Sequence, residues 1–254
     1  MKTVTLLGLF ACAIAVFLGS CGKSNDASNP TSTNTTVGYD SDVAAVQAIL
    51  TANSITTYSA SDLTYFLKTN VNGAYRITEI WFKNKGVTII PSQIGQLTAL
   101  KYLTLDSNSI TSLPPEIGNC TKLENVSLSN NKIATIPAQM GNCVALVSCD
   151  LRHNNLTSLP DGFYNCVAIQ SLFLDFNSLD SLSSGVSKLT QLNRLQLANN
   201  QLTKLPTSIT ALVLTNGITV ENNNLCPATL PQAVSDWISR LYDNIPWKTT
   251  QTCP

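Results

Sequence analysis

The chain is short of charge and has no long basic segment. Of its 254 residues 12% are charged, and the formal net charge is zero. No run of lysine or arginine is long enough to follow a phosphate backbone, so nucleic acid is not an expected partner. Hydrophobic residues, in contrast, make up 44% of the sequence, which is enough to bury a core.

Residues 77–225 consist of one 23-residue unit that occurs six times and begins a seventh time. The units open at Ile77, Leu100, Leu123, Leu146, Ile169, Leu192 and Thr215. The second unit reads Leu100, Leu103, Leu105, Asn108, Ile110, Leu113, Pro114, Ile117 and Cys120. A fixed period of this length predicts a solenoid, in which stacked units share one continuous core.

Each recurring position has a physical reason. Positions 4 and 6 alternate as in a strand, so their side chains point inward while positions 3, 5 and 7 face out. Position 9 is asparagine in six units, and its amide can satisfy backbone groups where the chain leaves each strand; only the first unit differs, with Lys85. Proline follows position 14 in every full unit except the fifth, which has Ser183, and it discourages long helices there.

These residues resemble leucine-rich repeat proteins of the class that carries L-P-x-x-I-G, as in Leu113 to Gly118. The resemblance covers residues 77–225. It implies an α/β solenoid: a curved leucine-rich repeat array with a parallel concave sheet. It also implies binding of another macromolecule through the concave face, without naming a ligand.

Residues 39–76 are predicted to cap the open end of the repeats. Val43, Val46, Ile49 and Leu50 recur at helical spacing after Asp40, which favours a helix to about Thr51. A second helix is expected over Leu63, Phe66 and Leu67. Tyr58, Tyr65 and Phe66 are expected to serve packing rather than binding.

Residues 226–254 resemble the cysteine-bearing C-terminal caps of extracellular leucine-rich repeat proteins, although two cysteines stand where such caps often have four. The resemblance predicts a disulfide between Cys226 and Cys253, and two free thiols are the alternative. By loop-closure reasoning the bond would contribute about 3 kcal/mol. Val234, Trp237, Ile238 and Leu241 have helical spacing within this cap.

Residues 1–20 have the form of a signal peptide, with Lys2 ahead of an apolar run. The order Leu18, Gly19, Ser20, Cys21 resembles the lipobox of bacterial lipoproteins, which implies cleavage before Cys21 and fatty acylation of that residue. In such signals an Asp after the cysteine favours retention in the inner membrane, so Gly22 at that place implies outer-membrane delivery in a cell with two membranes. The expected location is the cell envelope, at the outer membrane or cell surface. A plain secretory signal is the alternative. Residues 21–38, rich in Ser, Thr and Asn, are then a flexible tether.

The remaining cysteines invite a metal site, but their pattern favours packing. Cys120, Cys143 and Cys166 all stand at position 21, where other units have leucine, and Cys149 stands at inward position 4. Free cysteine behaves as a small buried hydrophobe, so neither a metal nor another cofactor is expected.

Catalysis is not expected either, because no nucleophile accompanies a base. The one histidine, His153, stands at position 8 beside Arg152 and is interpreted as an ordinary exposed ring.

The outward positions vary from unit to unit and carry the candidate binding site. Neighbouring strands lie about 5 Å apart, so Phe173 and Phe176 are expected to lie close to acidic and basic side chains of the adjacent strands. That surface comprises Asp150, Arg152, Phe173, Asp175, Phe176 and Arg194. Trp81 and Tyr102 form a secondary patch. Aromatic residues among charges are typical of interaction hot spots, although the charges could also simply pair across strands.

The sequence therefore predicts a membrane-anchored binding module outside the cytoplasm that recognises a protein or peptide through its concave face. The alternative is a structural or adhesive envelope lipoprotein without a single ligand site. An enzyme is the third possibility, and no pattern of catalytic residues in the sequence supports it.

Overall fold

The computed structural model describes residues 37–56, 68–71, 74–241 and 247–253. Helix α1 spans Val37–Ala52 and helix α2 spans Gln232–Leu241. The strands are β1 Lys68–Val71, β2 Ala74–Ile77, β3 Glu79–Trp81, β4 Tyr102–Thr104, β5 Asn125–Ser127, β6 Ser148–Asp150, β7 Ser171–Phe173, β8 Arg194–Gln196 and β9 Ile218–Thr219. The predicted signal peptide, Cys21, most of the tether and the predicted second helix of the N-terminal cap lie outside these ranges.

Strands β3 to β9 form one seven-stranded sheet in chain order, and every pair in it is parallel. Each residue pairs with the residue one unit later, as Leu103 does with Val126. The fold is a curved leucine-rich repeat solenoid, as predicted. Strands β1 and β2 form a separate antiparallel pair.

The inward positions fill a continuous core along the solenoid. Leu103 is 1% exposed and Leu105 is fully buried, whereas the outward residue between them, Thr104, remains partly accessible. Because strand side chains alternate between faces, two leucines two residues apart both point into the core. Each unit buries its apolar side chains only by stacking on its neighbours.

The asparagines at position 9 form the ladder that the sequence predicts. Asn131 accepts a hydrogen bond at Oδ1 from the Ile110 amide, 3.0 Å away. Its Nδ2 donates to the carbonyl oxygens of Leu105 and Leu128 at 3.0 and 2.9 Å. Asn177 repeats the pattern two units later. One side chain thus satisfies backbone groups of two units.

The side opposite the sheet consists of five-residue 3-10 helices, one in each of the first six units. The residue before each helix is extended, and it is proline in five units and Ser183 in the other. The Ser183 hydroxyl accepts from the Gly185 amide and caps its helix. Units approach closely here: a Cβ on Gly95 would lie 2.7 Å from the Glu116 carbonyl oxygen.

Helix α1 covers the first unit and is anchored by a buried carboxylate. It begins at Val37, three residues ahead of the expected start. Asp42, fully buried, accepts two hydrogen bonds of 2.8 Å from the Arg76 guanidinium and one of 2.8 Å from the Ile77 amide. These bonds fix the helix to the start of the repeats, and they raise the pKa of Arg76.

The C-terminal cap ends the ladder with a glutamine in place of the next asparagine. Gln251 Oε1 accepts from the Leu225 amide at 3.2 Å, and its Nε2 donates to the Val220 carbonyl oxygen at 3.0 Å. If the repeats continued, the asparagine of the next unit would bond to these two backbone groups. Asn223 bonds in this way to the equivalent groups one unit earlier, the Leu202 amide and the Leu197 carbonyl oxygen. The predicted Cys226 to Cys253 disulfide is present, with the Cα atoms 5.3 Å apart, and it holds this segment in place.

The four cysteines of the repeats are buried free thiols, as the packing interpretation predicts. The Cys120, Cys143 and Cys166 thiols each donate to a carbonyl oxygen of the preceding unit at 3.2 to 3.5 Å. Burial raises their pKa to about 12, 11 and 12, respectively, so they stay protonated at neutral pH. Burial also raises the pKa of Cys149.

Candidate functional site

The outward positions of the sheet form two surfaces of different chemistry. We call the surface on units 2 and 3 the polar patch; it comprises Thr104, Asp106, Asn125, Ser127, Ser129 and Asn130. We call the surface on units 4 and 5 the aromatic patch; it comprises Asp150, Arg152, His153, Phe173, Asp175 and Phe176. The same strand register runs through both, so their difference lies in the side chains.

Arg152 joins two strands of the aromatic patch. Its Nε and Nη2 atoms donate to the two oxygens of Asp150 at 3.0 and 2.6 Å. The guanidinium carbon also lies 5.1 Å from the centre of the Phe173 ring, and Phe173 pairs with Asp150 on the neighbouring strand. The hydrogen bond to Asp150 raises the pKa of Arg152. The guanidinium is therefore positioned and neutralised within the patch.

Phe176 and His153 form an exposed stacked pair at one edge of the sheet. Their ring centres are 4.2 Å apart with an angle of 11° between the planes, and Phe176 is 47% exposed. Both residues have positive φ, 57° for Phe176 and 53° for His153. Units elsewhere have asparagine or serine at this position, and a bulky side chain there is strained. Phe176 thus exposes its ring on an unfavourable backbone, and His153, a residue type that adopts positive φ more readily, stacks on it.

Asp175 is more deeply placed than the outward pattern predicts. It is 7% exposed, and its Oδ1 accepts from the Ala198 amide at 2.9 Å and from the Thr219 hydroxyl at 3.0 Å. Burial raises its pKa, although these hydrogen bonds and the nearby Arg152 lower it. Asp175 therefore supports the sheet beneath the aromatic patch rather than standing free on its surface.

Arg194 stands apart from the other predicted residues. It is exposed at the start of β8, beside Ser171 on β7, and within the described ranges no hydrogen bond or ion pair involves its guanidinium. The structure thus brings together five of the six predicted residues, with Arg194 one strand away from the Phe173 ring.

The secondary patch is a looser arrangement at the first units. Trp81 is 58% exposed, and its indole Nε1 donates to Glu79 at 3.0 Å. Tyr102, on the next strand, donates its hydroxyl to Glu124 at 3.3 Å, and Glu124 also accepts from Lys101. The negative charge of Glu124 raises the pKa of Tyr102.

The polar patch bonds largely to itself. Asp106 Oδ1 accepts from the Ser127 hydroxyl at 2.6 Å, from the Ser129 hydroxyl at 3.0 Å and from the Ser129 amide at 2.9 Å. These bonds use both serine hydroxyls, and the polar patch has no aromatic side chain, so it offers a partner less apolar contact area than the aromatic patch does.

Sequence reasoning missed the role of His153 and of Thr219. Position 8 of two consecutive units carries a ring, and parallel stacking places such residues side by side, so the His153 and Phe176 pair could have been found from the period. Nothing in the sequence indicates that Thr219 reaches Asp175, two units away.

Among the described residues, no group of His, Cys, Asp or Glu is arranged to hold a metal ion. No helix among them is long and apolar enough to cross a membrane.

The sequence matches a family model described as "Leucine rich repeat" over residues 98–156 and 121–179. No curated protein matches the chain.

Similar solved structures include a leucine-rich repeat protein of Leptospira interrogans, 28% identical over 62% of this chain and 40% of that one, with a TM-score of 0.56. Another is the ectodomain of the Arabidopsis thaliana receptor kinase GASSHO1/SCHENGEN3 in complex with CASPARIAN STRIP INTEGRITY FACTOR 2, which is 29% identical over 63% of this chain and 20% of that one, with a TM-score of 0.56. A plant peptide hormone receptor in complex with RGF2 is 28% identical over 61% of this chain and 26% of that one, with a TM-score of 0.54. The chain therefore spans less than half the length of each of these proteins.

Proposed function

We propose that this chain is a membrane-anchored binding module outside the cytoplasm, which takes up a protein or peptide segment on the aromatic patch of its concave face. The observation that carries the proposal is the exposed Phe176 and His153 pair, held at positive φ where other units have asparagine or serine. Strained positions persist where the surrounding structure maintains them, and they concentrate at functional sites.

The composition of the patch supports a macromolecular partner. Phe173 and Phe176 supply apolar contact area, and Arg152 adds a guanidinium fixed by Asp150. Aromatic residues and arginine dominate the residues that lose most affinity when truncated at protein interfaces. The rigid sheet beneath keeps the ordering cost of binding small.

The comparisons support the same class of partner. Two of the similar structures are plant receptors, one of them a peptide hormone receptor, solved in complex with their partners. They share a repeat scaffold with this chain at 28 to 29% identity. Scaffold similarity supports recognition of proteins or peptides and leaves the specific contacts to this chain's own outward residues.

The membrane anchor in this proposal is a lipid on Cys21, supported by the order of residues around it. Mass spectrometry of the protein from a bacterial host with lipoprotein processing tests it. The expected mature N-terminus is Cys21 with acyl mass. A mature N-terminus elsewhere, or Cys21 without acyl mass, would refute the anchor and leave the binding proposal to its own test.

Selection of random 12-residue peptides on the immobilised chain tests the binding surface. Phe173→Ala should weaken the selected peptides by about 30-fold, equivalent to about 2 kcal/mol. Ser127→Ala is the matched control, because residue 127 occupies the same strand position in the polar patch, and it should change affinity less than about threefold. If no selected peptide depends on Phe173, the aromatic patch is not the site, and a structural or adhesive role without a single ligand site becomes the better account.

A further inference from the structure

Most charged side chains of the concave face already have a hydrogen-bond partner within the chain. Asp150 binds Arg152, Asp106 accepts from two serines, and Asp175 accepts from Thr219 and Ala198. Glu79 accepts from the Trp81 indole. A partner gains less from a charged group whose oxygens already accept hydrogen bonds within the chain, so electrostatic recognition falls to the charged groups that remain without a partner.

Arg194 is the unpaired cation closest to the aromatic patch. Its partner on β7 is Ser171, and the residue one unit after it is Gly217, so neither neighbour has a side chain larger than that of serine. Glu221, an acidic residue of the next unit, lies four positions further along the strand direction, about 13 Å away at 3.3 Å per residue. No acidic side chain of the neighbouring strands shares the position of Arg194, and within the described ranges its guanidinium stays unpaired.

The positions of Arg194 and Phe173 define a spacing. Phe173 pairs with Gln196, two residues after Arg194 on the same face of β8. Two residues along a strand and one strand across place the two Cα atoms about 8 Å apart. An extended peptide covers that distance in two to three residues.

The following inference rests on the function proposed above. We propose that the partner segment contains an acidic and an aromatic residue. It presents a carboxylate to Arg194 and, two or three residues away, an aromatic side chain to Phe173. The planar guanidinium offers two parallel donors to a carboxylate. The partner's ring meets the Phe173 surface, and the Phe176 and His153 pair extends this contact toward the other edge of the sheet.

Synthetic fluorescent heptapeptides test the inference on the full chain. One set fixes phenylalanine at the centre and places glutamate or glutamine two or three residues away, with the C-terminus amidated. We expect the glutamate peptides to bind at least tenfold more tightly than the glutamine peptides by fluorescence polarisation, and the advantage to shrink with added salt. A second set contains no glutamate and carries its only carboxylate as a free C-terminus. If only this set binds more tightly than the amidated glutamine peptides, the partner's C-terminus is the source of the carboxylate.

Arg194→Gln should abolish the preference for glutamate while leaving the glutamine peptides unchanged. Arg240→Gln is the matched control, because Arg240 is an exposed arginine on α2, away from the concave sheet; it should keep the preference. Equal binding of all peptides by the wild-type chain, or a preference that survives Arg194→Gln, overturns the inference. If phenylalanine peptides still bind and depend on Phe173, the proposed function stands without the acidic requirement; if none depends on Phe173, both fail.

Discussion

The polar patch and the aromatic patch lie on the same sheet and differ only in their side chains. The residue at position 8 has a positive φ in both, 56° at Asn130 and 57° at Phe176, and strands of both are joined in the same register. In one patch asparagine fits that backbone at little cost, and Asp106 bonds to serines around it. In the other, phenylalanine takes the same backbone at a cost and stays exposed.

This contrast separates the scaffold from the proposed binding surface. Inward leucines and ladder asparagines recur because every unit must satisfy the same core and the same backbone groups. The outward residues carry no such requirement, so the large exposed rings of the aromatic patch are available for the proposed binding function.

The ladder beneath both patches should be equally important for stability. Asn177→Ala, under the aromatic patch, leaves the Leu156 amide and two carbonyl oxygens without their partner and should lower the free energy of unfolding by about 3 kcal/mol. Asn131→Ala, under the polar patch, should cost a similar amount. Urea unfolding measures both. A difference of more than about 2 kcal/mol between the two variants would mean that the scaffold is not uniform.

Replacing Phe176 should raise stability while weakening binding. Phe176→Asn installs a residue that tolerates positive φ and removes strain of about 1 to 2 kcal/mol, against which the lost stacking on His153 costs about 0.5 to 1 kcal/mol. We expect the free energy of unfolding, measured by thermal unfolding, to rise by up to about 1.5 kcal/mol, together with weaker binding of the peptides selected on the wild-type chain. A variant that loses stability would show that the ring supports the fold.

Asp175 should give the smallest effect, and one that depends on pH. Burial raises its pKa in the folded protein above the unfolded value, so the ionised carboxylate disfavours folding at neutral pH. Asp175→Asn keeps an acceptor for Ala198 and Thr219 and should be more stable at pH 7 by less than about 1 kcal/mol. The gap should shrink as pH falls through the folded pKa and vanish below the unfolded pKa of about 4. Urea unfolding from pH 3 to 7 would contradict this assignment if the gap widened as pH fell.

The fold could be predicted from the sequence because each repeated residue answers a local requirement. The 23-residue period predicts the strand register, the asparagines predict the hydrogen-bond ladder, and the prolines predict that the helices are short. All three features act within one unit or between neighbouring units. Gln251 could not be found this way: it takes the place of an asparagine but comes from outside the period, and its position depends on how the chain returns after α2.

The candidate site was predictable in outline only. Outward residues could be assigned to one face, and neighbouring strands placed Asp150, Arg152 and Phe173 together. The sequence does not indicate that Asp175 is buried, because that depends on Thr219, 44 residues later in the chain. It also leaves open which charges pair, since Arg152 could have met Asp175 instead of Asp150.

The affinity of a double variant tests the central claim most directly. Phe173→Ser and Phe176→Asn together give the aromatic patch the residues that the polar patch has at the same positions, Ser127 and Asn130. Isothermal titration of the peptides selected on the wild-type chain should show at least a 100-fold loss of affinity, while the Tm stays within about 5 °C of the wild type. Unchanged affinity at an unchanged Tm would contradict the account, because binding would then not reside in the aromatic residues of units 4 and 5.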